Sequence, residues 1–155
     1  MPLTRSPWAN SRHNAQILAP FSLHISTDYV FDGNATRPYR EEYVARPLSS
    51  YGISKYAGEM MLWRSCERGF VFRTSGLYGL RGSSAKGYTF IERVLAQAEE
   101  EKPFRVVTDI TFSPSYTSHV ASAICRIVEQ GVFGTYHVTN SGACTWYEFA
   151  AEALH

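Results

Sequence analysis

Cysteine, excess charge of either sign and long apolar runs are all scarce in this chain. Three cysteines occur in 155 residues, Cys66, Cys125 and Cys144. None forms a CxxC, and none stands at metal-ligand spacing from a histidine, which argues against a zinc site or a disulfide framework. So odd and sparse a set fits a reducing compartment, and the three read as small buried hydrophobes. The net charge is +1, so electrostatics gives no case for nucleic acid or an anionic membrane as partner. No stretch approaches the ~18 apolar residues of a membrane span. The first residues lack the apolar core of a secretory signal. They also lack any acidic residue before Asp28 while carrying Arg5 and Arg12. That bias suits a transit peptide, but Pro2, Pro7 and Pro20 and the missing apolar stripe oppose one. The expectation is a globular, cytoplasmic protein.

Aromatics, by contrast, are plentiful: ten Tyr, nine Phe and three Trp make 14% of the chain. Such a composition can bury a core and argues against disorder. The length suits one domain of about 100–200 residues.

Residues 1–20 are weakly patterned; 15–19 could end a helix that Pro20 stops. From there strand and helix signals alternate. Phe21–Thr27 reads as a buried strand of β-branched and aromatic content, and the Gly- and Pro-bearing stretch 32–50 as a loop long enough to suspect function. Tyr51–Arg68 reads as a helix stopped by Gly69. Phe70–Arg73 is a second strand, followed by a Gly/Ser-rich loop through Gly87. A helix over Phe90–Glu101 places Phe90, Val94, Leu95 and Ala98 on one face. Arg105–Val107 reads as a strand. Tyr116–Glu129 is a helix with Val120, Ile124, Ile127 and Val128 at core spacing, closed by Gly131. Thr135–Thr139 is a further strand, and Thr145–Glu148 matches the capping box of a last helix. This alternation predicts an α/β fold with a mostly parallel sheet.

Two features carry chemistry. Tyr51-Gly-Ile-Ser-Lys55 sets a phenol and an ammonium at i and i+4, on one helix face. A free phenol ionises near pH 10, too high for ready proton exchange at neutrality. A neighbouring ammonium favours the phenolate and makes such a pair a general acid or base for a carbonyl or alcohol. Alone the motif is weak, expected by chance in about one such chain in five, and an incidental surface pair explains it equally. The second feature is Ser26-Thr-Asp-Tyr29 at the end of the first strand. In open α/β sheets ligands bind at the carboxyl ends of strands, where a hydroxyl can reach a substrate carbonyl. The competing reading is that Thr27 and Asp28 merely satisfy turn backbone.

Together these residues carry a resemblance. Ser26-Thr-Asp-Tyr-Val-Phe-Asp-Gly33, Pro38-Tyr39, Glu41, Pro47 and Tyr51-Gly-Ile-Ser-Lys-Tyr-Ala-Gly-Glu59 resemble the dTDP-4-dehydrorhamnose reductase family of extended short-chain dehydrogenases/reductases. Phe72-Arg-Thr-Ser-Gly-Leu-Tyr-Gly79, Arg105–Asp109, Ser113–Thr117, Gly134–Val138 and Thr145–Phe149 continue it over roughly residues 21–154. Several motifs in the right order exclude chance. The resemblance implies a partial Rossmann-like NAD(P)-binding fold, its later parallel strands, plus part of the substrate-binding lobe. It implies reduction of the C4 keto group of dTDP-4-dehydro-L-rhamnose to dTDP-L-rhamnose with NADPH or NADH. Tyr51 would protonate the C4 oxygen, Lys55 would favour the Tyr51 phenolate and hold the nicotinamide ribose, and Thr27 would hydrogen-bond the reacting oxygen. Asp28, Tyr29 and the residue at Gly76 would line the sugar site. Arg73-Thr74-Ser75 would lie beside the nicotinamide, with Thr74 and Ser75 as cofactor contacts. The partners implied are a dTDP-sugar and a second copy of the chain in a homodimer.

The chain also departs from that family. No strand–Gly-loop–helix fingerprint for the pyrophosphate is present, so residues 21–155 read as a catalytic and substrate-binding region lacking its main cofactor motif, and the isolated chain is expected to lack appreciable activity. Gly76 stands where many members carry a Trp that packs on the sugar, which keeps open a reductase or epimerase for another nucleotide sugar. His119, where members often have Asp, reads as an exposed helix residue. A non-catalytic nucleotide-sugar-binding or regulatory module is the reading from another class. Phe21–Thr27 is expected at a sheet edge with apolar residues uncovered.

Overall fold

The computed structural model describes residues 20–80, 87–100 and 103–154. The expected helical turn at 15–19, the Arg5/Arg12 region, the middle of the Gly/Ser-rich loop and Glu101 lie outside the described residues. The chain divides into two compact units, 1–73 with 123–137, and 74–122 with 138–155.

The first unit is built on a three-stranded sheet of order β1-β2-β6. Strand β1 (Ser22–Thr27) is followed by a 3-10 turn at Asp28–Val30 and, after the loop, by helix α1 (Ser50–Ser65). Strand β2 (Gly69–Thr74) is buried along its whole length, as a central strand covered on both faces should be. It pairs in parallel with β6 (Gly134–His137), Phe70 opposite Gly134 and Arg73 opposite His137. Aromatic rings fill the space around β2: Phe70 lies 5.7 Å from Phe72 and 5.0 Å from Phe133, and Phe72 lies 5.8 Å from Tyr136. Each fully buried ring stabilises the fold by about 1.5–3 kcal/mol. Strand β1, an edge of this sheet, is buried only at its end rather than along its length as its composition suggests. His24 and Ser26 face α1, while Leu23 and Ile25 remain 41% and 38% exposed.

Helix α1 starts where Ser49 accepts the Gly52 N–H at 3.0 Å. It ends at Ser65 rather than Arg68, and Gly69 opens β2 instead of stopping the helix. A Cβ at Gly69 would sit 2.3 Å from Leu62 Cδ2, so this glycine serves close packing rather than the left-handed stop that sequence suggested.

The second unit holds α2 (Phe90–Glu99), capped by Thr89 and Glu92 in a capping box that the sequence reading missed. Its inner face uses Phe90 and Val94, whereas Leu95 and Ala98 are exposed. Short strands β4 (Thr111–Phe112) and β7 (Cys144–Thr145) pair antiparallel, and β3 (Leu77–Tyr78) pairs with β5 (Ser115–Tyr116) in parallel. Two-residue strands fall below any periodicity signal. The expected strand at Arg105–Val107 does not form; Val107 instead accepts one bond from the Tyr147 N–H at 3.2 Å. Helix α3 (Thr117–Gln130), within which the unit boundary falls, ends at Gly131 with φ 69°, the left-handed stop expected. Helix α4 (Trp146–Ala153) carries the anticipated Thr145/Glu148 capping box. Phe112, Trp146, Phe149 and Phe90 stack into the core of this unit, Phe112 on Trp146 at 4.0 Å. The cysteines are not buried as expected: Cys125 is exposed and the other two are half-buried.

Candidate active site

Thr27, the last residue of β1, is 6% exposed. Its hydroxyl accepts the Tyr29 N–H at 3.3 Å and donates to Asp28 Oδ1 at 3.0 Å. The capping role that competed with a chemical one is therefore real. It does not exclude chemistry, because a hydroxyl has one proton and two lone pairs. One lone pair holds the turn, and the proton can pass to another acceptor if it leaves Asp28.

Tyr51 lies in the first turn of α1 and is 56% exposed. Its ring stands edge-on to that of Tyr29, centroids 6.0 Å apart. Lys55 follows one turn later on the same face and is half-buried. Among the described residues no carboxylate pairs with its ammonium. The first unit thus brings Thr27, Asp28, Tyr29 and Tyr51 together where β1 ends and α1 begins, with Lys55 one turn along that helix.

Two glycines make this approach. A Cβ at Gly52 would lie 2.2 Å from the Tyr29 carbonyl oxygen, and one at Gly58 2.5 Å from His24 Cε1. The same His24 ring binds the Lys55 carbonyl through Nε2 at 3.1 Å. A side chain at Gly52 would push the helix off the turn, whereas one at Gly58 would displace the His24 ring. Sequence reading passed over both, although a glycine inside a helical pattern is a signal of close approach.

Beneath the site lies a buried ion pair. Glu59, on α1, takes Arg73 Nε at 3.0 Å and Nη2 at 2.7 Å, and accepts from Ser26 Oγ as well. Arg73 was expected beside a nicotinamide; its guanidinium is committed to Glu59, lies 5.1 Å from the Phe31 ring centroid, and reaches the Glu41 carbonyl at 3.3 Å. Glu41 Oε1 accepts the His137 backbone N–H at 3.0 Å. That bond is the main reason the Glu41 carboxyl is held below its ordinary value. Burial, with Arg73 nearby, holds the His137 imidazole below its ordinary value against the opposing pull of Glu41. Asp32, at the start of the loop, is lowered chiefly by the Tyr39 hydroxyl, which donates to it at 2.7 Å.

Thr74, Ser75 and Gly76 belong to the second unit. Thr74 and Ser75 are each 5% exposed, and Ser75 Oγ accepts the Ser113 N–H at 3.1 Å. Gly76 has φ 49°, and a Cβ there would meet Phe112 Cδ2 at 2.2 Å. Phe112 packs directly against Gly76 and leaves no room for a side chain there without a shift. His119 is exposed as expected, its Nδ1 2.9 Å from Asn140 Nδ2.

Comparison with known proteins bears on the family of the chain. The family model described as RmlD substrate binding domain matches residues 11–155. The spore coat polysaccharide biosynthesis protein SpsK of Bacillus subtilis is 44% identical over 132 residues, covering 85% of this chain and 44% of its own length. A dTDP-4-keto-6-deoxy-D-glucose reductase of Streptomyces niveus is 37% identical over 129 residues, covering 83% of this chain and 43% of its own. Among solved structures, the dTDP-4-dehydrorhamnose reductase of Bacillus anthracis in complex with NADP superposes with a TM-score of 0.78 at 36% identity, covering 85% of this chain and 45% of that one. The chain spans a little under half the length of these relatives. With the family model matched over nearly its whole length, the chain belongs to the RmlD substrate binding domain family.

Proposed function

We propose that this chain is the catalytic-hydroxyl portion of an NAD(P)H-dependent reductase of a dTDP-4-keto sugar, converting the C4 ketone of dTDP-4-dehydro-L-rhamnose to the alcohol of dTDP-L-rhamnose in the cytoplasm. The single observation that carries this reading is the meeting of Thr27, Tyr29 and Tyr51 at one strand end, with an ammonium one helical turn from the exposed phenol. NADPH is favoured as cofactor because the Bacillus anthracis relative is described in complex with NADP.

The residues present fit such a cofactor and substrate. Tyr51 is exposed and Lys55 has no acidic partner among the described residues, so both are available to a ligand. When bound, the nicotinamide supplies the hydride. Tyr51 Oη gives its proton to the C4 oxygen, so that one hydride and one proton turn C=O into CH–OH. Lys55 offsets the charge left on the phenol oxygen and holds the ribose. Thr27 turns its proton from Asp28 Oδ1 to the same C4 oxygen. By the family resemblance Thr74 and Ser75 would contact the nicotinamide, Asp28 and Tyr29 would bind the sugar, and Gly76 would bear on which sugar is accepted. Residues 21–155 act as one catalytic and substrate-binding region, and a second copy of the chain is the expected protein partner.

A second reading keeps the chemistry and changes the sugar. The Streptomyces niveus relative is named for dTDP-4-keto-6-deoxy-D-glucose, and Gly76 with Phe112 behind it differs from the Trp expected for the rhamnose enzyme.

The test is a chimera in which residues 20–154 replace the matching segment of the Bacillus anthracis enzyme. Consumption of NADPH should depend on a dTDP-4-keto sugar and fall by about 10²–10⁴-fold in Tyr51→Phe. A panel of dTDP-4-keto sugars separates the two readings. A folded chimera that binds dTDP-sugar without consuming NADPH would leave only a binding module.

A further inference from the structure

We propose that the buried Ser26–Glu59–Arg73 network is a positioning device that fixes α1 against β1 and β2, and so sets Tyr51 against Thr27 and Tyr29. Its relevance to catalysis rests on the reductase reading; its geometric content does not.

The three side chains are 2%, 2% and 7% exposed. Each sits on a different element of the first unit. Ser26 immediately precedes Thr27 on β1. Glu59 lies on α1, eight residues after Tyr51 and four after Lys55. Arg73 lies on β2. One carboxylate therefore ties the helix that carries the phenol to the strand that carries the hydroxyl.

Stability alone does not explain such a choice. Withdrawing two charges from water is costly, and well-packed apolar residues of similar volume usually do as well or better. What the pair adds is direction. The planar guanidinium meets both carboxylate oxygens, 3.0 Å and 2.7 Å away, and this fork tolerates little rotation or sliding. Apolar ridges permit small shifts along a helix axis. A misplacement of about 1 Å can cost 10²-fold in rate, so a site assembled from a strand end and a helix start needs that kind of lock. Gly52 and Gly58 bring α1 close; Glu59 fixes where along its axis it stops. The remaining Arg73 contacts, to the Glu41 carbonyl and the Phe31 ring, extend the lock to the loop that follows the site.

The test uses the full chain labelled with fluorotyrosine and needs no ligand. Fluorine resonances of Tyr29 and Tyr51, assigned by Tyr→Phe variants, report the site; that of Tyr147 in the second unit is the reference. Thermal melting is followed in parallel. Glu59→Gln leaves a buried guanidinium half-satisfied, so its Tm falls by roughly 6–20 °C, and the Tyr29 and Tyr51 resonances shift while Tyr147 stays. In Glu59→Leu/Arg73→Met the apolar pair restores Tm, yet the two site resonances remain displaced. Ser26→Ala, which removes the hydroxyl's bond to Glu59, gives a smaller displacement in a protein that folds even where Glu59→Gln does not. The proposal is overturned if the site resonances return to wild-type positions together with Tm in the double variant, or if Ser26→Ala leaves both unmoved. Either result would leave the reductase reading intact, and an inactive chimera would leave this geometry intact.

Discussion

Gly52 offers the most direct test of how the site is assembled. Within an exposed helix, Gly→Ala should stabilise by about 0.5–1 kcal/mol through lost backbone freedom in the unfolded chain. Here the structure reverses the sign. The new Cβ would lie 2.2 Å from the Tyr29 carbonyl oxygen, and the obstacle is backbone, which cannot swing aside like a side chain. Restoring even a tight contact means moving the first turn of α1 off the 3-10 turn by most of an ångström. Overpacking of that kind costs about 1–3 kcal/mol, and more where the backbone must yield. The net expectation for Gly52→Ala is a loss of about 1–2 kcal/mol, read as a Tm lower by roughly 2–8 °C. Two controls calibrate it. Ala57→Gly, on the exposed face of α1, should lose about 1 kcal/mol from propensity alone. Gly58→Ala meets the tip of the His24 ring, which can rotate at the cost of its bond to the Lys55 carbonyl, so it should be milder than Gly52→Ala. Circular dichroism melts of the four proteins decide. A Gly52→Ala protein as stable as wild type or more so would refute the close-approach reasoning.

Three further outcomes follow from the same geometry. Gly76→Ala should destabilise, because residue 76 has φ 49° and its Cβ would strike Phe112; adding Phe112→Ala should make the pair markedly less than additive in chemical denaturation, and simple additivity would show that the two do not touch. The His137 imidazole is held below its ordinary value by burial, so the unfolded chain binds its proton first. Stability is then full above about pH 6.5 and lost as pH falls below it; His137→Asn should flatten the fall in Tm between about pH 7 and about pH 5, while the loss tied to Glu41 stays below about pH 4.3. Leu23 and Ile25, exposed on the edge strand β1, should drive concentration-dependent self-association that Leu23→Lys suppresses; a wild-type sedimentation profile of pure monomer at every concentration would count against it.

Much of the fold was legible because its long elements obey periodicity. Strand β1, helices α1 and α3 and the capped start of α4 fall within a few residues of where β-branched and aromatic content, core spacing and the T-x-x-E box put them. The failures have one cause. Arg105–Val107 looks β-branched enough for a strand, but strand formation needs a partner strand, and among the described residues the segment meets one backbone N–H, from Tyr147. The pairs β3–β5 and β4–β7 are two residues each, set by tertiary contact and invisible to any local pattern. Gly69 has the right spacing for a helix stop; only the position of Leu62 shows that it is a packing glycine. Of the candidate site, the sequence singled out Thr27, Tyr51 and Lys55 but not the residues that support them. Glu59 read as a polar residue on a helix flank, since nothing local shows that Arg73 would arrive beside it.

The state of Thr27 bears on how this site would act on a ketone. Its proton already has an acceptor in Asp28 Oδ1, so a neutral substrate carbonyl offers only an exchange of one acceptor for another. That exchange is costly with a neutral carbonyl, and the cost falls as the carbonyl oxygen gathers negative charge and comes to match the Asp28 carboxylate as an acceptor, because hydrogen bonds to ionised acceptors are roughly twice as strong as neutral ones. On the reductase reading, the interaction is therefore weak with the bound ketone and strong as the alkoxide develops. An interaction of that kind accelerates the reaction rather than merely tightening binding. The same logic explains why the hydroxyl is tied at all. The Tyr29 N–H on one lone pair keeps the oxygen in place while its proton changes partner, so turn capping and catalysis use different parts of a single group.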